Sequence, residues 1–131
     1  MNISIIIPTL NEVKYLRSTI EHTLSMAKVP ATLEFIIVDA GSSDLTIDSI
    51  SDLSCRVYSD ASFRLQKHQS LNFGIKQATH DVLVFLDADT LLPMHFDVLL
   101  TSTLENKEIV VDKPKTIPFQ TGEFYNECVL N

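Results

Sequence analysis

Asp87 and Asp89 stand one residue apart, directly after the apolar run Val82-Leu83-Val84-Phe85-Leu86. In extended backbone, residues two apart point to the same side. Two carboxylates on one side, at the open end of a buried strand, repel each other unless something positive sits between them. A divalent cation does that. Their hard oxygen ligands suit magnesium or manganese, which complete their shells with water and substrate phosphate oxygens. A cation held there could bind a diphosphate and neutralise charge on it as it departs. The plainer alternative is that Asp89 caps the next turn and Asp87 is merely solvated. The triplet alone does not decide between them, but its position at the end of an apolar strand in an alternating chain favours the site.

Other polar residues follow the remaining apolar runs. Asp39 ends Phe35-Ile36-Ile37-Val38, where an acidic residue can grip a ribose hydroxyl or form an Asx turn; both remain open. Asp44 reads as a helix cap. Asn11 reads as an N-cap with Glu12 in the first turn, and Thr9 serves the turn before them. Arg64, Lys67 and His68 open a helix where a cation could meet phosphate, although a solvated basic face is the preferred reading. His22, His80 and His95 show no ligand spacing and read as surface or turn residues. Ser42 and Ser43 sit in no nucleophile elbow, and no triad is visible.

These residues need elements that bring them together. Ser4-Ile5-Ile6-Ile7, Phe35–Val38 and Val82–Leu86 are short, continuous and rich in β-branched residues, as strands buried on both faces are. Arg56-Val57-Tyr58 is a weaker strand, and Ile109-Val110-Val111 a candidate fifth. Val13, Leu16, Ile20, Leu24 and Ala27 trace one helix face. A short helix is expected through Ile47 and Ile50. A longer one spans Phe63 to Ala78 on Leu65, Leu71, Ile75 and Ala78, weakened by Gly74; another carries Phe96, Leu99, Leu100 and Leu104. Strands alternating with helices predict an α/β fold, a Rossmann-like, mainly parallel sheet with helices on both faces. In such sheets ligands sit beyond the carboxyl ends of the strands, near the point where strand order reverses. The polar residues after the three strongest strands would meet there.

Composition narrows the partners. Ten Lys and Arg against 17 Asp and Glu give a net charge of −7. Such a chain is a poor candidate for non-specific nucleic-acid binding or for docking on anionic lipid by charge. No basic leader or long apolar run suggests a signal peptide or membrane span. Cys55 and Cys128 lie far apart, which fits two free thiols in a reducing compartment, hence a cytoplasmic location.

The segments Ile3–Glu12 (ISIIIPTLNE), Phe35–Thr46 (FIIVDAGSSDLT) and Gln69–Pro93 (QSLNFGIKQATHDVLVFLDADTLLP) resemble, in order, the nucleotide-sugar-binding half of family 2 glycosyltransferases, which adopt the GT-A fold. The resemblance implies a nucleoside-diphosphate sugar donor, a magnesium or manganese ion, and transfer of the sugar to an acceptor with inversion. It places the first-strand segment on Pro8, Thr9, Asn11 and Glu12, the second-strand acid on Asp39 near the base or ribose, and a further Asp on Asp44. It places the small-residue helix motif on Ser70, Asn72 and Gly74, and the metal motif on Asp87 and Asp89, Asp89 being the more direct ligand. Arg64 matches loosely a cation against the nucleotide.

Ala40 departs from members that carry a second acid there. Members also continue into an acceptor-binding half that supplies the general base, whereas this chain stops at Asn131. None of Asp112, Glu123 and Glu127 has the expected context of that base, so the catalytic base has no assignment. Residues 1–112 read as the nucleotide-sugar-binding domain and 113–131 as a tail. Two rivals stand beside this reading. One is a nucleotide-sugar-binding or scaffold module whose chemistry is lost or supplied by a partner. The other is a haloacid-dehalogenase-type phosphatase, disfavoured because Leu91 stands where Thr or Val usually follows the second Asp. An uncovered sheet edge would favour a homo-oligomer, or a tail that folds back over it.

Overall fold

The computed structural model describes residues 1–80 and 82–105, with Lys67 by its backbone alone, and the backbone of two further strands at 115–119 and 122–130. Four parallel strands form the centre: β1 (Ile3–Thr9), β2 (Leu33–Asp39), β3 (Cys55–Ser59) and β4 (Val82–Phe85). Between and after them run α1 (Leu16–Met26), α2 (Lys67–Gln77) and α3 (Phe96–Glu105). Two antiparallel strands, β5 (Lys115–Phe119) and β6 (Gly122–Leu130), complete a sheet of order β3-β2-β1-β4-β6-β5. The α/β architecture expected from the alternating pattern is therefore present.

Strand periodicity sorts the core into two layers. Ile3, Ile5, Ile7, Phe35, Ile37, Val82 and Val84 face one side, where Leu16 and Ile20 of α1 and Phe96 and Leu104 of α3 cover them. Ile6, Ile36 and Val38 face the other, against Phe73, Ile75 and Ala78 that follow the line of α2. Side chains alternate along a strand, so a continuous β-branched run serves both layers. Gly74 lets α2 lie close: a Cβ there would come within 2.6 Å of Ile6 Cγ2. The glycine that weakens the helix on propensity grounds is set by this contact.

Several local expectations change. The helix expected through Ile47 and Ile50 is a single 3-10 turn, Asp48–Ile50. The segment from Phe63 divides into a 3-10 turn at Ala61–Arg64 and α2, and Leu65 between them is 87% exposed. Val13 lies outside α1 and is exposed, while Thr19 and Thr23 share its buried face with Leu16 and Ile20. Ile109–Val111 falls outside the described residues. β6 pairs antiparallel with β4, from Val82 opposite Leu130 to Phe85 opposite Glu127, and so occupies the β4 edge. Among the described residues no helix is long and apolar enough to cross a membrane.

Candidate functional site

β2 and β3 extend the sheet on one side of β1, and β4 lies on the other. Strand order thus reverses between β1 and β4, the position at which open α/β sheets bind ligands. The residues after β1, β2 and β4 meet at this edge.

β1 and β2 end in register, Thr9 opposite Asp39. The Thr9 hydroxyl donates to Asp39 Oδ1 at 2.9 Å. The same oxygen accepts the Ser42 hydroxyl at 2.5 Å, while Oδ2 accepts the Gly41 N–H, the Ser42 N–H and the Ser59 hydroxyl at 2.8–3.0 Å. Asp39 is completely buried. Burial alone would raise its pKa, but the Ser42 hydroxyl and N–H, with Ser59 and Thr9, outweigh it and hold the carboxyl below its ordinary value. Asp39 therefore satisfies the turn reading: its acceptors are engaged by the loop it organises. Gly41, at φ +79°, makes that loop possible, and a Cβ there would crowd Ala61 at about 3.0 Å.

A second set of bonds ties the loop after β1 to the loop after β2. Asn11, at φ 53°, accepts the Ser43 N–H at 2.9 Å and donates its own N–H to Ser42 Oγ at 2.8 Å. It caps no helix, contrary to expectation, because α1 begins only at Leu16 and its capping position is Tyr15. The Glu12 N–H donates to Thr46 Oγ1 at 2.9 Å. Asp44 accepts the Thr46 N–H at 2.9 Å and the Thr46 hydroxyl, so it closes a turn and does not cap a helix. Pro8, opposite Val38, leads into this junction half-buried.

Arg64 is exposed, with its guanidinium turned onto the chain's own backbone. Its Nε donates to the Ala40 carbonyl at 2.8 Å and its Nη2 to the Gly41 carbonyl. It braces the loop after β2 and is not a free basic face. His68 and Asn72 are exposed on α2, and Ser70 is buried there; the Lys67 side chain lies outside the described residues. His22, expected at the surface, is half-buried with Nε2 3.1 Å from the Leu92 carbonyl oxygen.

β4 delivers the carboxylates. Leu86 N–H bonds to the Ile6 carbonyl at 3.0 Å, carrying the pairing with β1 one residue past the strand. Ala88 is turned into the core at 3% exposure, while Asp87 and Asp89 on either side of it are exposed. A turn closed by the Thr90 N–H on the Asp87 carbonyl at 3.1 Å follows. None of the ion pairs among the described residues involves either aspartate. Glu12 reports their position: burial pushes its pKa up, and the charges of Asp89, Asp87 and Asp44 push it further. Acids from all three loops thus converge, and among the described residues no ion pair offsets the two aspartates.

The donors fit magnesium or manganese in one specific way. Among the described residues no group of three or more His, Cys, Asp or Glu is arranged to hold a metal. Two exposed aspartates would leave most of an octahedral shell to water and phosphate oxygens, which is the habit of these ions beside nucleotides. An open groove of about 220 Å³, lined in part by Met1, Val29, Val98 and Glu105, shares no residue with this edge. Cys55 is a free thiol whose pKa burial pushes up to about 11, which leaves it protonated and inert at neutral pH.

Comparison with known proteins agrees with this geometry. Residues 4–127 match the family described as "Glycosyl transferase family 2". An uncharacterised glycosyltransferase of Nostoc is 31% identical over 114 residues, covering 84% of this chain and 35% of the relative. The crystal structure of Staphylococcus aureus TarS 1-349 in complex with UDP superposes with a TM-score of 0.71 at 24% identity, over 80% of this chain and 32% of that one. Glucosyl-3-phosphoglycerate synthase of Mycobacterium tuberculosis, solved with Mn2+, UDP and phosphoglyceric acid, gives a TM-score of 0.60 at 26% identity, over 82% and 40%. The chain thus spans about a third of the length of the curated relatives it matches. With a family match running from β1 into β6 and a GT-A sheet beneath it, this chain belongs to glycosyl transferase family 2.

Proposed function

We propose that the edge formed by β1, β2 and β4 binds a nucleoside-diphosphate sugar together with a magnesium or manganese ion, as the donor-binding part of a glycosyltransferase. The observation that carries this reading is the convergence of Asp87, Asp89 and Glu12 at the strand-order reversal, with no cation beside the two aspartates among the described residues. The solved relatives named above were crystallised with UDP, one of them also with Mn2+, and this supports the same ligand class here.

Asp87 and Asp89 would hold the ion. When bound, it would neutralise charge on the diphosphate as that group leaves. The chain's own residues shape the rest. Asp39 and Arg64 fix the loop after β2, and Asn11 locks the loop after β1 against it. Backbone from Pro8 to Glu12 and from Ala40 to Ser43 then lines the nucleotide side of the edge. Thr9 acts through Asp39, because its hydroxyl is committed there. Transfer with inversion to an acceptor hydroxyl requires a base within hydrogen-bond reach of that hydroxyl. No described side chain is assigned this role; Asp112 and the side chains of Glu123 and Glu127 lie outside the described residues.

Saturation-transfer NMR of the purified chain with UDP, GDP, CDP and dTDP, each with and without Mg2+, tests the proposal and identifies the base. The expected result is magnesium-dependent transfer to at least one of them. Absence of transfer to all four in the presence of Mg2+ would overturn it.

A further inference from the structure

The turn that carries the two aspartates is fastened along one helix. Residues 19, 22 and 26 of α1 lie on one face, at helical spacing. The Thr19 hydroxyl donates to the Ala88 carbonyl at 2.5 Å, between Asp87 and Asp89. His22 Nε2 lies 3.1 Å from the Leu92 carbonyl. The His95 N–H reaches the Met26 carbonyl at 2.6 Å. Beyond the helix end, the Asp97 carboxylate accepts the N–H groups of Lys28 and Val29, both at 2.9 Å. The segment from residue 88 to residue 97 is thus laid along α1 in step with its turns.

Thr19 is the bond nearest the chemistry. It is 1% exposed, on a buried face that it and Thr23 share with Leu16 and Ile20. The Thr23 hydroxyl donates to the backbone carbonyl of Thr19 in its own helix, whereas that of Thr19 reaches across to another segment. Packing alone does not select a hydroxyl there; a valine would fill the same volume. The hydroxyl meets the carbonyl of the residue that separates the two acids. Ala88 is anchored on one side by its methyl group in the core and on the other by this bond, which sets the direction in which Asp87 and Asp89 leave the backbone.

We infer that Thr19 is a positioning residue for the cation site, acting through the Ala88 carbonyl. The inference rests on the reading of Asp87 and Asp89 as the cation ligands. Partners one step behind metal ligands typically change affinity by about 10- to 100-fold when removed. Removing the hydroxyl takes a donor from a buried carbonyl and frees the turn to shift.

The test measures manganese affinity of the full chain in saturating nucleoside diphosphate, by the electron paramagnetic resonance signal of free Mn2+. Thr19→Val is expected to weaken Mn2+ binding about tenfold, with metal-free thermal unfolding recorded in parallel. Thr19→Ser, which keeps the hydroxyl, is expected to stay within about twofold of wild type. Should Thr19→Val fail to fold, Thr19→Cys takes its place, since a thiol is a weak donor of similar size; it is expected to weaken Mn2+ binding while Thr19→Ser does not. Hydrogen exchange of the Thr90 amide, which closes the turn on Asp87, is expected to quicken in the same variants. Wild-type Mn2+ affinity in a folded Thr19→Val or Thr19→Cys chain would overturn the inference and leave the cation site standing. A wild-type chain that binds no Mn2+ with any nucleoside diphosphate would remove both.

Discussion

Thr9 and Asp39 end neighbouring parallel strands in register, and the hydroxyl of the first donates to the carboxylate of the second at 2.9 Å. One bond therefore joins the ends of β1 and β2 at the edge where the ligand is proposed to sit. Around it Asp39 gathers four more donors from Gly41, Ser42 and Ser59. The loop shape is thereby set from beneath by a buried charge.

Asp39→Asn replaces one acceptor oxygen with a donor that faces other donors. A loss of about 2–3 kcal/mol in unfolding free energy is expected, read from the urea midpoint. The pH dependence follows from the lowered pKa. A carboxyl with a depressed folded-state pKa contributes stability that is present above its unfolded value, about 3.9 for Asp, and lost as pH falls through the folded value. Wild-type stability should therefore drop below about pH 4, and the Asn variant should lose less over the same window. Glu34 and Asp97, also held low, leave part of the acid dependence in both proteins.

Asn11 combines a left-handed backbone with a side chain that accepts from the neighbouring loop. The two contributions separate by substitution. Asn11→Gly keeps the backbone at ease and loses the acceptor; Asn11→Ala loses the acceptor and strains the backbone as well. The alanine variant should be less stable than the glycine variant by about 1 kcal/mol. Equal stability would show that the backbone conformation contributes nothing.

Gly74→Ala sets helix propensity against packing. Alanine favours a helix by about 1 kcal/mol over glycine. The added methyl would meet Ile6 Cγ2 at 2.6 Å and Val38 Cγ2 at 3.3 Å, both buried in the sheet. Overpacking of this kind costs about 1–3 kcal/mol, so net destabilisation is expected in chemical denaturation. A stabilised variant would mean that α2 can lift from the sheet freely.

The strands carrying this edge were legible in the sequence because each is a run such as Ile5-Ile6-Ile7 that only a sheet buried on both faces accommodates. The placement of Asp87 and Asp89 at the end of β4 was legible because they end such a run. Less legible were roles fixed by partners far along the chain. Asn11 looked like a cap because it precedes an amphipathic helix, yet its acceptor serves residues 32 and 33 positions later. Arg64 looked like a free cation, and its carbonyl partners at Ala40 and Gly41 are invisible to spacing. Thr19 and Thr23 did carry a signal: two hydroxyls four residues apart on the apolar side of α1. That pattern marks either a break in the face or a bond across it, and only the fold distinguishes the two. Leu65 fitted a helical period but falls at the junction of two short elements, where no face continues.

Calorimetric titration of the nucleoside diphosphate identified by NMR, with and without Mn2+, into wild type, Asp87→Asn and Asp89→Asn tests the central claim most directly. Manganese should tighten wild-type binding by about tenfold or more, and either substitution should abolish that gain while metal-free affinity changes little. A chain lacking either carboxylate that still shows the full manganese-dependent gain would contradict the account.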